Sequence, residues 1–428
     1  MHKLLTGFLL FLFFSPALYA QKNNNALNAK TQKPNIVLIV ADYMGYADIQ
    51  PFGTTEIKTP SLNLLASEGI KYTNFYAPAP VCSPSRGALL TGMYPVKTGL
   101  VHNISKRDTG LTSKFPTIAL KLKNAGYATA LIGKWHLGFT DASSPNANGF
   151  ETFFGFKDWS IDYYSHRNIS NTEGLYYNAN PVTVNGYSTD IFTDSATSFI
   201  NNHQKNPFFL CLFYNAALPP LQRPGNPNDI RNASDWDKST RQDYVEVVER
   251  MDHEIGKVLE ELDKDKLTKN TIVIFTYDHQ GMDVVNHGKF SNGFATLWEG
   301  GIRVPLIIRY PQLKKKNVTD KRLSINMDLT YTLLTAAGVA PGKGLDGINL
   351  FSKNIDIGRS LFWEWKYDGK VQSAVRKGKW KYIIDNGTGS LFNLKKDPGE
   401  HKNLGYKYPQ IKDSLEMELQ QWEREMKN

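Results

Sequence analysis

The sequence predicts an α/β fold: a large mixed, mostly parallel sheet flanked by helices, followed by a small C-terminal antiparallel sheet with a closing helix. Three observations lead there. "NIVLIVAD" and "TIVIFTYD" are continuous β-branched apolar runs, and each ends in an aspartate, Asp42 and Asp278. Runs of this kind suit parallel strands covered by helices on both faces. Helical patterns alternate with such runs, which implies a layered α/β architecture with ligands bound beyond the carboxyl ends of the strands. After "DLTYTLLTAAGV" the texture changes to short aromatic and valine-rich runs separated by Asp-Gly, Lys-Gly and Asn-Gly pairs, the pattern of an antiparallel hairpin sheet.

Taken in order, residues 1–20 read as a secretory signal peptide, with Lys3 for charge, "LLTGFLLFLFF" as apolar core and Ala20 as the small residue before a cut at Gln21. That core is too short to span a bilayer, and no later stretch is long enough for a membrane span. The chain is therefore expected to be exported, to the periplasm or the exterior. Residues 21–340 form the expected α/β catalytic domain. "YATALIG", "PFFLCLFY" and "VPLIIR" supply further strands for the sheet. "TPSLNLLASEG" and "TIALKLKNAG" each have a threonine start and a glycine stop, and "RQDYVEVVERMDHEIGKVLEELDK" is amphipathic. Residues 341–428 form the smaller α+β subdomain, which "YPQIKDSLEMELQQWEREMK" closes as an amphipathic helix.

Hydrophobic content of 41% and aromatic content of 12% are globular values, and the formal net charge is +9. That charge favours polyanions such as sulfated or phosphorylated glycans; the bland alternative is a scatter of solvated lysines, including the run at 314–316. Nucleic acid is excluded as a partner, because an exported chain without a recognition motif offers nothing to read it. There are two cysteines, Cys82 and Cys211. Cys211 lies in an apolar strand, a poor setting for the narrow geometry of a disulfide with a residue in a distant polar loop.

Cys82 opens "CSPSRGALLTG", which reads as the first turns of a helix. Free N–H groups at a helix N-terminus favour negative charge. On spacing alone two readings stay open, a reactive cysteine of lowered pKa and a plain loop cysteine. The motifs go further. Cys82-Ser83-Pro84-Ser85-Arg86 with Leu90-Thr91-Gly92 resembles the signature of the type I sulfatases. "GKWHLG", "GYSTDIFTD", "TYDH", "WEGGIRVP" and "LKKDPGEHKNL" follow in that family's order over residues 34–404.

The resemblance implies an alkaline-phosphatase-like domain and sulfate ester hydrolysis. In that family the cysteine is oxidised to formylglycine by a formylglycine-generating enzyme; the aldehyde hydrates, and one hydroxyl attacks sulfur. By the same resemblance Arg86 holds the hydrated aldehyde, while Lys134 and His136 contact the diol and sulfate. Calcium, a divalent metal, is held by Asp42, position 82, Asp278 and His279. The implied substrate is a sulfated carbohydrate.

The chain departs from the family pattern at three polar positions. Tyr43 stands where a second aspartate is usual, Leu218 where a histidine protonates the leaving oxygen, and Phe294 where a lysine binds sulfate, with Lys289 five residues out of register. His279 is a nitrogen donor to a cation that prefers oxygen. His166 or His287 could replace the missing acid, each read more readily as a surface or loop histidine, and Lys289 the missing cation. Trp159, Tyr163 and Tyr164 could stack on a sugar or simply pack. The leading expectation is a sulfatase acting on a sulfated glycan. The alternative is a catalytically impaired relative that binds such glycans, because three site positions are replaced. A phosphoesterase or sulfotransferase on the same fold is weaker, since neither uses the cysteine motif.

Overall fold

Five parallel strands form the centre of the molecule, and the apolar runs of the sequence account for most of them. In the computed structural model the described residues are 32–428, apart from 169, 230, 232–237, 282, 354–357, 368 and 428. The expected signal peptide lies outside them. The strands, in chain order, are β1 (Asn35–Ala41), β2 (Ile70–Tyr72), β3 (Phe75–Tyr76), β4 (Ala128–Lys134), β5 (Thr152–Phe156), β6 (Leu175–Tyr177), β7 (Asn180–Pro181) and β8 (Phe208–Phe213). They continue with β9 (Thr271–Tyr277), β10 (Leu306–Arg309), β11 (Val318–Asp320) and β12 (Ser324–Ile325), then β13 (Ser360–Tyr367), β14 (Lys370–Lys377), β15 (Trp380–Asp385) and β16 (Thr388–Asn393).

The ten-stranded sheet runs β11-β2-β10-β9-β1-β8-β4-β5-β6-β7. Its centre, β9-β1-β8-β4-β5, is parallel throughout. Antiparallel pairing is confined to the flanks, where "LIIR" enters as β10 against β9 and β2 and where β6 and β7 close the other side. Every residue of β1, β8 and β9 is buried, as expected of strands covered on both faces.

The helices follow their end signals. They are α1 (Pro60–Ser67), α2 (Cys82–Thr91), α3 (Pro95–Thr98), α4 (Ile118–Asn124), α5 (Ser188–Asn202), α6 (Arg241–Lys264), α7 (Glu299–Ile302), α8 (Met327–Ala336) and α9 (Pro409–Lys427). Thr117 caps α4 by accepting from Leu120 N. Thr240 and Asp243 form a reciprocal capping box at the start of α6, satisfying two otherwise free donors. No helix of the described residues is long and apolar enough to cross a membrane.

Residues 34–428 form one compact unit. Within it β13–β16 make the four-stranded antiparallel sheet that the Gly-containing turns predict. Asn386 (φ 46°) and Gly387 (φ 84°) link Asp385 to its partner Thr388, the two positive φ values of a type I′ hairpin turn. The small sheet is tied to the large one by buried charge. Lys381 of β15 lies 3.2 Å from Glu299 and 2.9 Å from Glu400, all three inaccessible or nearly so. Glu299 also accepts from Tyr76 Oη at 2.7 Å and from Arg303 Nη1 at 2.9 Å. Truncating one member would leave its partners charged, buried and uncompensated.

Candidate active site

Strand register brings the first two candidates together. Ala41 and Tyr277 are paired residues of adjacent parallel strands, so Asp42 and Asp278, each one residue further, leave the same edge side by side. Lys134 is the last residue of β4, on the far side of β8. Gly133 allows it to arrive there. Its φ is +102°, and a Cβ at this position would sit 1.9 Å from the carbonyl oxygen of Phe213, so only glycine fits.

Cys82 is the first residue of α2, whose ten residues are all buried. The helix is pinned by its own serines: Ser83 Oγ donates to His136 O at 2.7 Å, and Ser85 Oγ donates to Asp278 O. The motif thus attaches the helix to both loops that carry candidate residues. Pro84 sits in the first turn, where its missing N–H costs nothing.

The charged groups interlock. Arg86 reaches Asp278 Oδ2 through Nε at 2.8 Å and Asp42 Oδ2 through Nη2 at 3.1 Å. Lys134 Nζ lies 2.6 Å from Asp42 Oδ2 and 3.3 Å from Cys82 Sγ. His279 Nε2 is 3.0 Å from Cys82 Sγ, and its Nδ1–H donates to Gln280 O at 2.8 Å. Asp42, Cys82, Asp278 and His279 offer ligand atoms all within 4.8 Å of one another. Two buried carboxylates, an imidazole and the residue-82 side chain are a donor set that fits a divalent cation. They are fewer anionic oxygens than calcium's six to eight ligands ordinarily include.

These contacts move the titrations. Burial raises Asp42, but Lys134, Arg86 and His279 more than reverse that and hold it down at about 2. Burial lowers His279, yet Asp278, Cys82 and Asp42 push it up to about 10. A depressed carboxylate contributes stability that is present above its unfolded value of 3.8 and lost as pH falls through about 2. A raised imidazole contributes stability that is complete below its unfolded value of 6.5 and lost as pH rises through about 10. In excess EDTA the melting temperature is therefore expected to fall as pH is raised through that upper window, and His279→Gln is expected to flatten the fall. A wild-type curve that is level across the window would refute this assignment.

Above Cys82 opens a cavity of about 210 Å³ lined by Tyr43, Cys82, Asn103, Ile104, His136, Trp159, Leu218 and Phe294. All three departures from the family pattern line it. Moreover, Tyr43 and Phe294 touch, with ring centroids 5.3 Å apart, and Phe294 lies 5.2 Å from the His279 ring. Two changes that look independent in sequence form one aromatic cluster beside an imidazole. His136 adopts φ +54°, and its Nδ1 has no hydrogen-bond partner among the described residues. Burial first, then Lys134 and Arg86, push its pKa well below the usual value, so the ring is neutral.

Other candidates fall elsewhere. His166 is 4% exposed on the loop before β6, where its N–H donates to Asp162 O at 3.1 Å. His287 faces Gln280 Oε1 at 2.6 Å, and Lys289 lines a separate groove; none of the three borders the Cys82 cavity. Tyr163 is fully buried beneath Leu218, donating to its carbonyl at 3.0 Å, and Tyr164 donates to Arg223 O at 2.9 Å. Of the three aromatic candidates Trp159 alone lines the cavity. Asn103, whose Oδ1 accepts from Ser83 N at 3.1 Å, and Ile104 lie at the site without any sequence pattern that announces them.

Residues 34–339 match the family model described as Sulfatase, and residues 286–425 match that of the N-sulphoglucosamine sulphohydrolase C-terminal region. The chain is 31% identical to arylsulfatase J of Mus musculus over 92% of its own length and 77% of the relative. It is also 31% identical to N-acetylgalactosamine-6-sulfatase of Canis lupus familiaris, over 82% and 71%. Among solved structures, Ps i-CgsB in complex with k-i-k-neocarrahexaose superposes with a TM-score of 0.84 at 28% identity, covering 91% of this chain and 93% of that one.

Proposed function

The chain belongs to the sulfatase family of sulfuric ester hydrolases, and from that premise we propose that it removes sulfate from a glycan with a nucleophile made from Cys82. The observation that carries this reading is the setting of Cys82 Sγ, 3.0 Å from His279 Nε2, 3.3 Å from Lys134 Nζ and 3.8 Å from Asp42 Oδ1, at the start of a buried helix. Formylglycine made there by a maturation enzyme would supply, once hydrated, the attacking hydroxyl. A divalent cation, calcium by family precedent, held by Asp42, Asp278, His279 and residue 82, would supply positive charge facing the sulfate oxygens.

Around them the chain's own residues orient and compensate. Arg86 binds the two aspartates through different nitrogens and so fixes the angle between the carboxylates. Lys134 offsets the charge of Asp42 and sets a cation beside residue 82, where charge develops during attack. His136 lines the cavity as a neutral ring, which offers a bound sulfate ester a hydrogen-bonding group rather than a charge. Tyr43, Leu218 and Phe294 keep water out of the remaining wall. They also make the pocket less polar than the family pattern.

Sulfated carbohydrate is the substrate class that the names of the relatives support, and the net positive charge of the chain agrees with it. Read as a signal peptide, the N-terminal stretch would put the reaction outside the cytoplasm. The catalytically impaired alternative is not favoured, because Asp42, Arg86, Lys134, Asp278 and His279 are all retained around residue 82 and the relatives are sulfatases, even though Tyr43, Leu218 and Phe294 replace three polar groups of the family pattern.

The test is sulfate release from a panel of sulfated oligosaccharides by protein co-expressed with a formylglycine-generating enzyme, with peptide mass confirming the aldehyde. Wild type is expected to release sulfate, and Cys82→Ala at least ~10³-fold less, as when a group that acts within a catalytic unit is removed. Equal release by both proteins, or none across the panel from aldehyde-bearing protein, would overturn the reading.

A further inference from the structure

Beside the Cys82 cavity lies a larger groove of about 1300 Å³. The two share no lining residue, yet one stretch of chain borders both: Phe294 lines the cavity, and Gly288, Lys289 and Phe290 line the groove. The groove opens on the same edge of the sheet as Asp42 and Asp278. Thr73 follows β2, Lys321 follows β11 and Arg303 precedes β10; β10 runs antiparallel to β9 and to β2, and β11 parallel to β2, which puts all three at that edge. Its opposite wall comes from the small sheet, at Arg376, Lys379 and Lys395.

Seven cationic side chains line the groove, and no carboxylate does. Arg303 is engaged by Glu299, and Arg322 by Asp320. Lys289, Lys321, Lys379 and Lys395 are exposed and form no ion pair with a described residue. Arg376 is the informative member. It is 4% exposed, and its Nε and Nη1 have no hydrogen-bond partner among the described residues. The nearest acid, Glu299, is 3.7 Å from Nη1. Burial pushes this guanidinium down to about 9. Its Nη2 donates to Asn74 Oδ1 at 3.4 Å and its guanidinium lies 4.8 Å from the Tyr76 ring, which hold it at the groove wall. A buried cation with unfilled donors is costly, and an oxyanion oxygen accepting from Nε would offset part of that cost, guanidinium being a strong donor to carboxylate, sulfate or phosphate.

We propose that this groove is a second anion-binding site, which holds a sulfate or carboxylate of the same polyanionic glycan while another of its sulfates occupies the Cys82 cavity. The inference rests on the preceding reading for the class of substrate.

The test is equilibrium binding of a heparin-derived octasaccharide to the Cys82→Ala chain at two salt concentrations. Lys321→Glu, Lys379→Glu and Lys395→Glu together reverse three of the seven cations of the groove. Lys314→Glu, Lys315→Glu and Lys316→Glu make the same charge change at the exposed run that precedes β11. The groove triple is expected to bind ~10-fold or more weakly and with a shallower salt dependence, as when contacts to a dense polyanion are lost. The control triple is expected to lose less than ~3-fold, as long-range attraction alone would give. A triple Lys→Gln version keeps the comparison available if the glutamates disturb the fold. Equal losses in both triples, no loss in the groove triple, or tighter binding of single-stranded DNA of matched charge would overturn the proposal. Because the probe is bound by a chain unable to turn it over, a failed sulfate-release assay would sink the catalytic reading and leave this readout intact.

Discussion

Arg86→Met is expected to destabilise the fold by ~3–5 kcal/mol, the usual cost of breaking a buried ion pair from one side, and to abolish sulfate release. Arg86 is inaccessible and is bonded to two inaccessible carboxylates at 2.8 Å and 3.1 Å. Methionine fills similar volume, so the loss reports charge rather than a cavity. What remains is Lys134, 2.6 Å from Asp42, and the His279 ring, 3.6 Å from Asp42 and 3.7 Å from Asp278, so Asp278 would keep the poorer company. Urea denaturation at pH 7 gives the stability change. Arg86→Lys separates the two roles: a single ammonium retains charge but cannot serve both carboxylates in one plane. It should recover part of the stability and little of the turnover. Wild-type stability in Arg86→Met would mean that the two aspartates are solvated or protonated in solution, contrary to their burial.

The legible part of this site is the part written along the chain. β1 and β9 end in aspartates that parallel register then places side by side, and an apolar run followed by Asp carries that information by itself. Cys82, Arg86, Lys134, His136, Asp278 and His279 stand in motifs whose order is readable, and the fold brings them together. The short edge strands are another matter. "NP" and "VTD", which become β7 and β11, have no periodicity, and only their neighbours define them. Lys289 was the nearest cation to a vacant motif position, yet distance along the chain is a poor guide to distance across a loop, and it faces the groove instead. Tyr43 and Phe294 are the sharpest case. They are far apart in sequence, and nothing in either local pattern shows that their rings meet beside His279. Read separately they are two lost polar groups; read together they are one exchange of polar for aromatic packing.

Leu218→His is expected to raise kcat/KM on alkyl and sugar sulfates by ~10²-fold, the lower end of what a positioned general acid contributes, while changing aryl sulfate turnover little. The reasoning turns on the leaving group. A phenolate departs without protonation, whereas a sugar alkoxide needs a proton as the S–O bond breaks, and the wild-type cavity presents leucine where the family pattern has histidine. The backbone there is already fixed: Leu218 N donates to Asn215 O at 2.7 Å, and Tyr163 Oη donates to Leu218 O at 3.0 Å. The new ring would therefore enter the cavity of about 210 Å³ rather than displace the loop. The pH profile supplies a check that packing alone would not move. An acid must be protonated to act, so the gain should fade as pH rises through the new histidine's pKa, around 6.5 for an unperturbed imidazole. Leu218→Met, similar in volume and unable to donate, should show neither the gain nor the alkaline limb. An absence of gain in Leu218→His would mean that the proton already comes from another group, and that group would not be His136, whose ring is held neutral in the same cavity by burial, Lys134 and Arg86.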